Sequence, residues 1–340
     1  MELFLDSVDF SEIEEITQQG IITGLTTTPT FMHRHGITDI DKAIIKLSNM
    51  TPNLHIEALG EDYDSTISEA YRLLELPLKK EPVFKIPISD YGVKACKYLV
   101  DEGYKVNIHL VYTLNQAYLA MEAGATYVCP LVGRLHDEGH DAMGLIENIV
   151  KAVNHYRYKT KVMVSSVRHP EHVRQSLLIG AHACTIPGAV IKQLTNNNLT
   201  TIGSKQFFEH TKLMTTKVRN VIREKNPICK LSDSIIDAIK EMTESRLGSV
   251  SIVDEKGKLI GIFTDGDLRR HLKIKGKDII NMKISDFNYN SPVTVNADAY
   301  LHEVIGIFSE YAYDNIIVVE GDVPVGMIDI QDFVKMGLLG

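Results

Sequence analysis

The sequence predicts an α/β chain: a (β/α)8 barrel over residues 1–215, a connector over 216–226, and an α+β module of two tandem repeats over 227–340. Three observations carry this. Through the first 215 residues, short apolar runs alternate with longer segments of helical period, and eight such runs occur. No Gly-rich phosphate turn follows the first run, which argues against a doubly wound open sheet. From about residue 225 the order becomes helix, two strands, helix, and then the same again.

The strand candidates in order are ELFLD, IITGLTT, LHIEAL, PVFKIP, KVNIHLV, ATYVCP, KVMVSS and HACTIP. Between them lie DKAIIKLSNM, STISEAYRLLEL, YGVKACKYLVDEG and LNQAYLAMEAGA, whose apolar residues recur at helical spacing. Asp101-Glu102-Gly103 and Glu122-Ala123-Gly124 close two of these segments, where glycine suits a helix C-terminus. Eight strand–helix units in this length fit a compact barrel. Farther on, GSVSIVDEKGKLIGIFTDGDL pairs with DNIIVVEGDVPVGMIDIQDF. The repeats, 227–278 and 284–340, are each too short for a secure core and are expected to pack together. The basic stretch TKVRNVIREKNP is the connector.

A chain of 340 residues has room for two domains. Its net charge of −8, with no long Lys/Arg block, speaks against a nucleic-acid footprint. Lys79-Lys80-Glu81 reads as a solvated loop. No apolar stretch reaches membrane-spanning length, and MELFLDSVDF has neither a basic region nor a signal-peptide core. Cys96, Cys129, Cys184 and Cys229 lack metal-site spacing. They read as reduced thiols of a cytoplasmic protein, and no metal is expected.

In such a barrel, active groups sit at the C-terminal ends of strands. Asp6, Thr28, Glu57, Lys85, His109, Ser166 and Arg168 stand at or near those ends, and Arg134 follows the sixth strand on the loop VGRLHDEG. Lys85 stands out because it interrupts the apolar run Val83-Phe84-Lys85-Ile86-Pro87. Burying a charge is costly unless it is paired or neutralised. Either its stem snorkels to solvent, or desolvation favours a neutral, nucleophilic amine.

These segments resemble the transaldolase family, in particular its short members related to fructose-6-phosphate aldolase. The carriers are MELFLDS, GLTTTPT, FKIPIS, VNIHLVYTLNQA, CPLVGRL and SSVRHP, in order over about residues 1–215. The resemblance implies a class I transaldolase or aldolase for sugar phosphates, needing no cofactor for catalysis, with Lys85 as the Schiff-base lysine. It gives Asp6 the proton transfer at the cleaved bond, and Glu57 the acid/base work of carbinolamine formation and dehydration. It gives Arg134, Ser166 and Arg168 the phosphate, because guanidinium groups offer paired planar donors. The residues themselves leave other roles open. Asp6 could be a turn aspartate, although Asp9 is the better helix cap. Glu57 could be a plain ion-pair partner of Lys85, and either arginine could serve a structural pair.

Four positions depart from the family's pattern: Thr28 replaces an asparagine, His109 a threonine, Cys129 a serine or alanine, and Leu131 an aromatic residue. Thr28 removes a two-sided amide. His109 puts an imidazole where the catalytic water should sit, adding a base or displacing the water. Cys129 is either a reactive thiol or an inert packing residue.

The repeats resemble a tandem CBS pair, and GIFTDGDLRRHL looks most like the CBS tail of arabinose-5-phosphate isomerases. CBS pairs commonly bind adenosine-type nucleotides through a G-h-h-T-x-x-D pattern, here Gly261 to Asp267. The resemblance therefore assigns Thr264 to a phosphate and Asp267 to the ribose of an adenine-nucleotide or nucleotide-sugar effector. The second repeat carries Asp329 and Asp332 there, and a carboxylate repels phosphate, so at most one good site is expected. Dimerisation without a ligand is the other reading. Jointly, the halves suggest a sugar-phosphate enzyme feeding arabinose 5-phosphate into an acidic-sugar pathway under effector control. The alternative is a catalytically impaired barrel acting as a CBS-governed scaffold or nucleotide sensor. The resemblance further implies a homo-oligomer.

Overall fold

The computed structural model describes residues 1–223, 225–289, 291–311 and 313–338. Its contacts divide the chain into two units, Met1–Asn196 and Asn197–Gly340.

In the first unit β1 (Glu2–Asp6), β2 (Gly24–Thr26), β3 (Leu54–Glu57), β4 (Val83–Pro87), β5 (Lys105–Val111), β6 (Tyr127–Pro130), β7 (Lys161–Val164) and β8 (Ala183–Ile186) run parallel in one closed barrel. All eight expected strands are present, and β8 pairs with β1 to close the sheet. The intervening helices are α1 (Phe10–Thr17), α2 (Pro29–Arg34), α3 (Ile40–Met50), α4 (Tyr63–Leu74), α5 (Asp90–Asp101), α6 (Leu114–Glu122), α7 (Val132–Asp137), α8 (Ala142–Tyr156), α9 (Pro170–Ile179) and α10 (Gly188–Ile191). Side-chain caps fix many of their starts. Asp9 receives the Ser11 and Glu12 amides, as its position predicted, and Ser89 and Thr113 cap α5 and α6. Gly103 and Gly124 take φ of +96° and +81° just past α5 and α6, a conformation open to glycine without steric cost. Arg134 lies on α7 rather than on a loop. Six residues without a side-chain cap are too short to show a helical period.

Strand alternation then aims the functional side chains. Phe84 and Ile86 pack outward into the main core, beside Ile56, Val106 and Ile108. Each fully buried side chain of this size contributes about 1.5–3 kcal/mol. With Phe84 and Ile86 facing the helices, Lys85 must face the barrel interior. Below it, Phe4, Val83, Tyr127, Cys129, Met163 and Ala183 form a second, inner core. Register sets Lys85 beside Glu57 on one side and Asn107 on the other, with His109 beside Pro87. After His109 the β5–β6 register shifts, and Leu110 takes a φ of 59°.

The second unit opens with α11 (Asn198–Thr215), expected to belong to the barrel half but grouped by its contacts with the repeats. The first repeat contains β9 (Ile228–Lys230), α12 (Ile235–Ser245), β10 (Ser249–Val253), β11 (Leu259–Thr264) and α13 (Asp265–Lys275). The second contains β12 (Thr294–Asn296), α14 (Leu301–Glu310), β13 (Asn315–Glu320), β14 (Val323–Asp329) and α15 (Ile330–Lys335). Helix, hairpin, helix is as expected. The leading strands β9 and β12, which pair in parallel with the central strands, are new. At three residues each they are too short to alternate visibly.

The repeats pack together through Leu247, Ile317 and Met327, with Leu259 and Ile262 against them. Residues of the connector fold onto the second repeat. Val218 is buried with Val295 and Leu301, Ile222 lies over Gly326, and Asn226 donates to the Pro324 carbonyl at 2.8 Å. Arg223 donates to Asp332 at 3.0 Å and to the Arg246 carbonyl at 2.7 Å. Among the described residues no helix is long and apolar enough to cross a membrane. All four cysteines are free and buried.

Candidate active site

A cavity of about 670 Å³ opens at the C-terminal ends of the barrel strands. Asp6, Thr28, Glu57, Lys85, His109, Arg134, Ser166 and Arg168 all line it, so the eight barrel residues singled out from sequence converge on one space. A larger hollow of about 920 Å³ adjoins it, sharing only Arg134 and Arg168 among these groups.

Lys85 is 5% exposed, which rules out snorkelling to solvent. Its Nζ donates to the Thr27 carbonyl at 2.9 Å and lies 2.8 Å from Glu57 Oε1. The other carboxylate oxygen of Glu57 is 2.8 Å from His109 Nε2. Beyond these two close contacts neither Glu57 oxygen has a hydrogen-bond partner, so lone pairs remain for a proton in transit. Burial alone would raise the Glu57 carboxyl, but Lys85 and His109 outweigh it and hold the group below its ordinary value. Burial pushes His109 down, Glu57 opposes this, and Lys85 and Arg134 add to it, leaving the imidazole below its usual range. The ring is therefore neutral at pH 7. Asp6 accepts from Thr26 Oγ1 at 2.8 Å. Its burial raises it above the usual aspartate value despite Lys85 and Thr26. Burial pushes the Cys129 thiol up to about 11, which fits the inert packing reading.

The rim on the β6–β8 side suits an anion. Ser166 holds a left-handed φ of 56°. A Cβ on Gly133 would stand 2.2 Å from the Ser166 carbonyl oxygen and 2.6 Å from Arg168 Nε, so glycine is what lets α7 close on the β7–α9 loop. Arg134 reaches Tyr112 Oη at 3.4 Å. Arg168 donates to Asp137 at 2.9 Å, so the structural ion pair considered for it is present. Both side chains are 50% exposed. Such a pair is worth about 0–1 kcal/mol, little enough for an incoming dianion to exchange it. Thr28 receives the Phe31 amide at 3.3 Å, capping α2 while lining the cavity.

Sequence reasoning passed over Asn107. It is fully buried, lines the cavity, bonds His55 at 3.0 Å through Nδ2, and leaves Oδ1 unpartnered. Its signal was the period of two: it lies two residues before His109, on the same strand face.

In the second unit Thr264 caps α13, donating to Asp267 Oδ2 at 2.7 Å and receiving the Asp267 amide at 3.2 Å. The Tyr289 ring covers Gly261, 2.3 Å from where a Cβ would stand. Asp329 caps α15, and Asp332 is paired with Arg223.

Chemically, the first unit is a barrel with an inward amine, two carboxylates of opposed pKa shift, and a cationic rim. The profile of the Transaldolase/Fructose-6-phosphate aldolase family matches residues 3–247, and the chain belongs to that family. The CBS domain profile matches residues 284–338, the second repeat. A "Probable transaldolase" of Geotalea uraniireducens (strain Rf4) is 40% identical over 211 residues, covering 62% of this chain and 97% of the relative. Another, of Thermoanaerobacter sp. (strain X514), is 39% identical over 210 residues, covering 62% and 96%. The solved CBS domain of a CBS domain containing membrane protein from Sphaerobacter thermophilus aligns with 42% of this chain and 99% of its own length, at 19% identity and a TM-score of 0.35.

Proposed function

We propose that this protein is a Schiff-base transaldolase or aldolase of sugar phosphates, with Lys85 as its nucleophile. The observation that carries the reading is the inward Lys85 amine, 2.8 Å from a carboxylate and lining a cavity whose rim holds Arg134 and Arg168. The rim arginines and Ser166 seat the phosphate and set the carbonyl carbon before Nζ. Glu57 takes the ammonium proton, the freed amine attacks, and water departs to leave an iminium. That iminium accepts the electron pair released when the adjacent carbon–carbon bond breaks. Asp6, held above the usual aspartate range by burial, moves the proton at the cleaved hydroxyl. Thr28 and Asn107 supply hydrogen bonds for the donor's hydroxyls.

The CBS module would bind a nucleotide-type effector at Thr264 and Asp267, which must exchange their mutual bonds for it. In the second repeat Asp329 and Asp332 already hold Arg223, so they are not free to take a ribose, which supports a single site. A pentose phosphate such as arabinose 5-phosphate, built from a two-carbon donor and a triose phosphate, stays within the chemistry of the barrel.

Intact-mass spectrometry after borohydride reduction tests the reading. Fructose 6-phosphate, sedoheptulose 7-phosphate and arabinose 5-phosphate are incubated separately with wild type and Lys85→Met. An adduct in wild type alone supports it, and its mass identifies the retained fragment. No wild-type adduct with any of them would sink it.

A further inference from the structure

The barrel holds a third titratable group on the path of the reacting proton. Glu57 stands between Lys85 Nζ and His109 Nε2, 2.8 Å from each, one carboxylate oxygen to each. His109 is 8% exposed and lines the same cavity as Lys85. A carboxylate so placed is a bridge: a proton leaving the amine has an imidazole as its next stop. The backbone gives a second, independent sign. The β5–β6 register breaks directly after His109, and Leu110 is forced to a φ of 59°. Residues that carry a side chain rarely take this backbone conformation, and such strain concentrates at working sites. Its consequence is visible, since both His109 and Leu110 line the cavity although neighbours on a regular strand face opposite ways.

We propose that His109 is a catalytic acid/base, relaying protons through Glu57 between Lys85 and the oxygen that leaves as water. This rests on the Schiff-base reading above. The Lys85 ammonium loses one proton to Glu57, which passes it to neutral His109. The amine forms its C–N bond, and the imidazolium protonates the carbonyl oxygen. The nitrogen then gives a second proton to Glu57. The C–O bond breaks and the hydroxyl leaves as water, taking that proton by the same route. Lysine ammonium and carbonyl become iminium and water, while Glu57 and His109 end as they began.

Three charged groups face the ring or act on it: Glu57 from β3, Lys85 from β4 and Arg134 from α7. Glu57 favours the imidazolium, whereas Lys85, Arg134 and burial oppose it. The relay needs the neutral ring at the outset. Its rate should therefore fall with pH once His109 protonates, below the ordinary histidine range.

The test is rapid-quench borohydride trapping of the full-length protein from pH 5 to 8.5, with whichever of fructose 6-phosphate, sedoheptulose 7-phosphate and arabinose 5-phosphate gives a wild-type adduct. Wild type is compared with His109→Gln and His109→Asn, each checked for fold by circular dichroism and for rim integrity by inorganic phosphate affinity. The expected result is an acid limb in wild type. Both variants should lose that limb, slow trapping about 100-fold, keep their phosphate affinity, and still reach the adduct at long times. Variants that keep the limb and trap within about threefold of wild type would make His109 a mere wall and overturn the proposal. Absence of a wild-type adduct with all three sugar phosphates removes the Schiff-base reading itself and this relay with it.

Discussion

Removing the charge of Glu57 isolates the energetics of the buried pair. At 2.8 Å, two unit charges attract by about 6 kcal/mol at an effective dielectric of about 20. Desolvation of both ions offsets much of that, and losing one partner of a buried pair costs about 3–5 kcal/mol because the other is stranded. The side chains here are 6% and 5% exposed, so solvent gives little relief. The Thr27 carbonyl remains at 2.9 Å from Nζ, which places the expected loss for Glu57→Gln near the lower end, about 3 kcal/mol. The chain has no tryptophan, so urea unfolding at pH 7 is followed by far-UV circular dichroism of the barrel transition. Wild type, Glu57→Gln, Lys85→Met and the double variant form a cycle. The double variant should recover most of the loss, since no lone charge is left. A Glu57→Gln protein within about 0.5 kcal/mol of wild type, or strict additivity in the double, would refute the coupling argued from the geometry.

Asp6→Asn is expected to raise the melting temperature at pH 7 while lowering turnover by at least about 100-fold. The carboxyl's folded pKa lies above its ordinary 3.8. The native state thus favours the protonated form, so the stability this carboxyl contributes is full below 3.8 and is lost as pH rises through the folded value. The stabilisation by asparagine should shrink as pH falls toward 3.8, which melting curves across pH would show. Gly133→Ala cannot be accommodated by rotating a side chain, because its Cβ meets a backbone oxygen at 2.2 Å. The rim must shift, raising KM for a sugar phosphate by about tenfold or more with a smaller change in kcat. Asp137→Asn releases Arg168 from an exposed ion pair and should tighten inorganic phosphate binding by up to about fivefold in titration calorimetry.

The barrel was legible because its strands are short apolar runs separated by capped helices, and closure follows from eight of them. Lys85 was legible because an ammonium between Phe84 and Ile86 contradicts its neighbours. Convergence of Asp6, Glu57 and His109 on it follows from one position per strand at one height. Other features depend on partners far apart in sequence. Nothing local joins Arg168 to Asp137 across 31 residues, and nothing in LHIE and KVNIHLV announces that His55 and Asn107 meet beneath the site. The three-residue strands β9 and β12 form because a longer central strand offers them an edge. Leu110 gave no sign of its left-handed backbone, because leucine is the residue one would least choose for it.

The order in which the chain threads its C-terminal unit limits how that unit can be cut. The segment leading into the first repeat is built into the second: Val218 fills its core, Ile222 lies over Gly326, and Arg223 holds Asp332. A chain ended between the repeats would leave Val218, Ile222 and Arg223 without their floor and expose an apolar seam. The unit is thus an indivisible cassette whose entrance is locked by its last-made part. During synthesis Val218, Ile222 and Arg223 must wait, unpacked, until β14 and α15 have emerged.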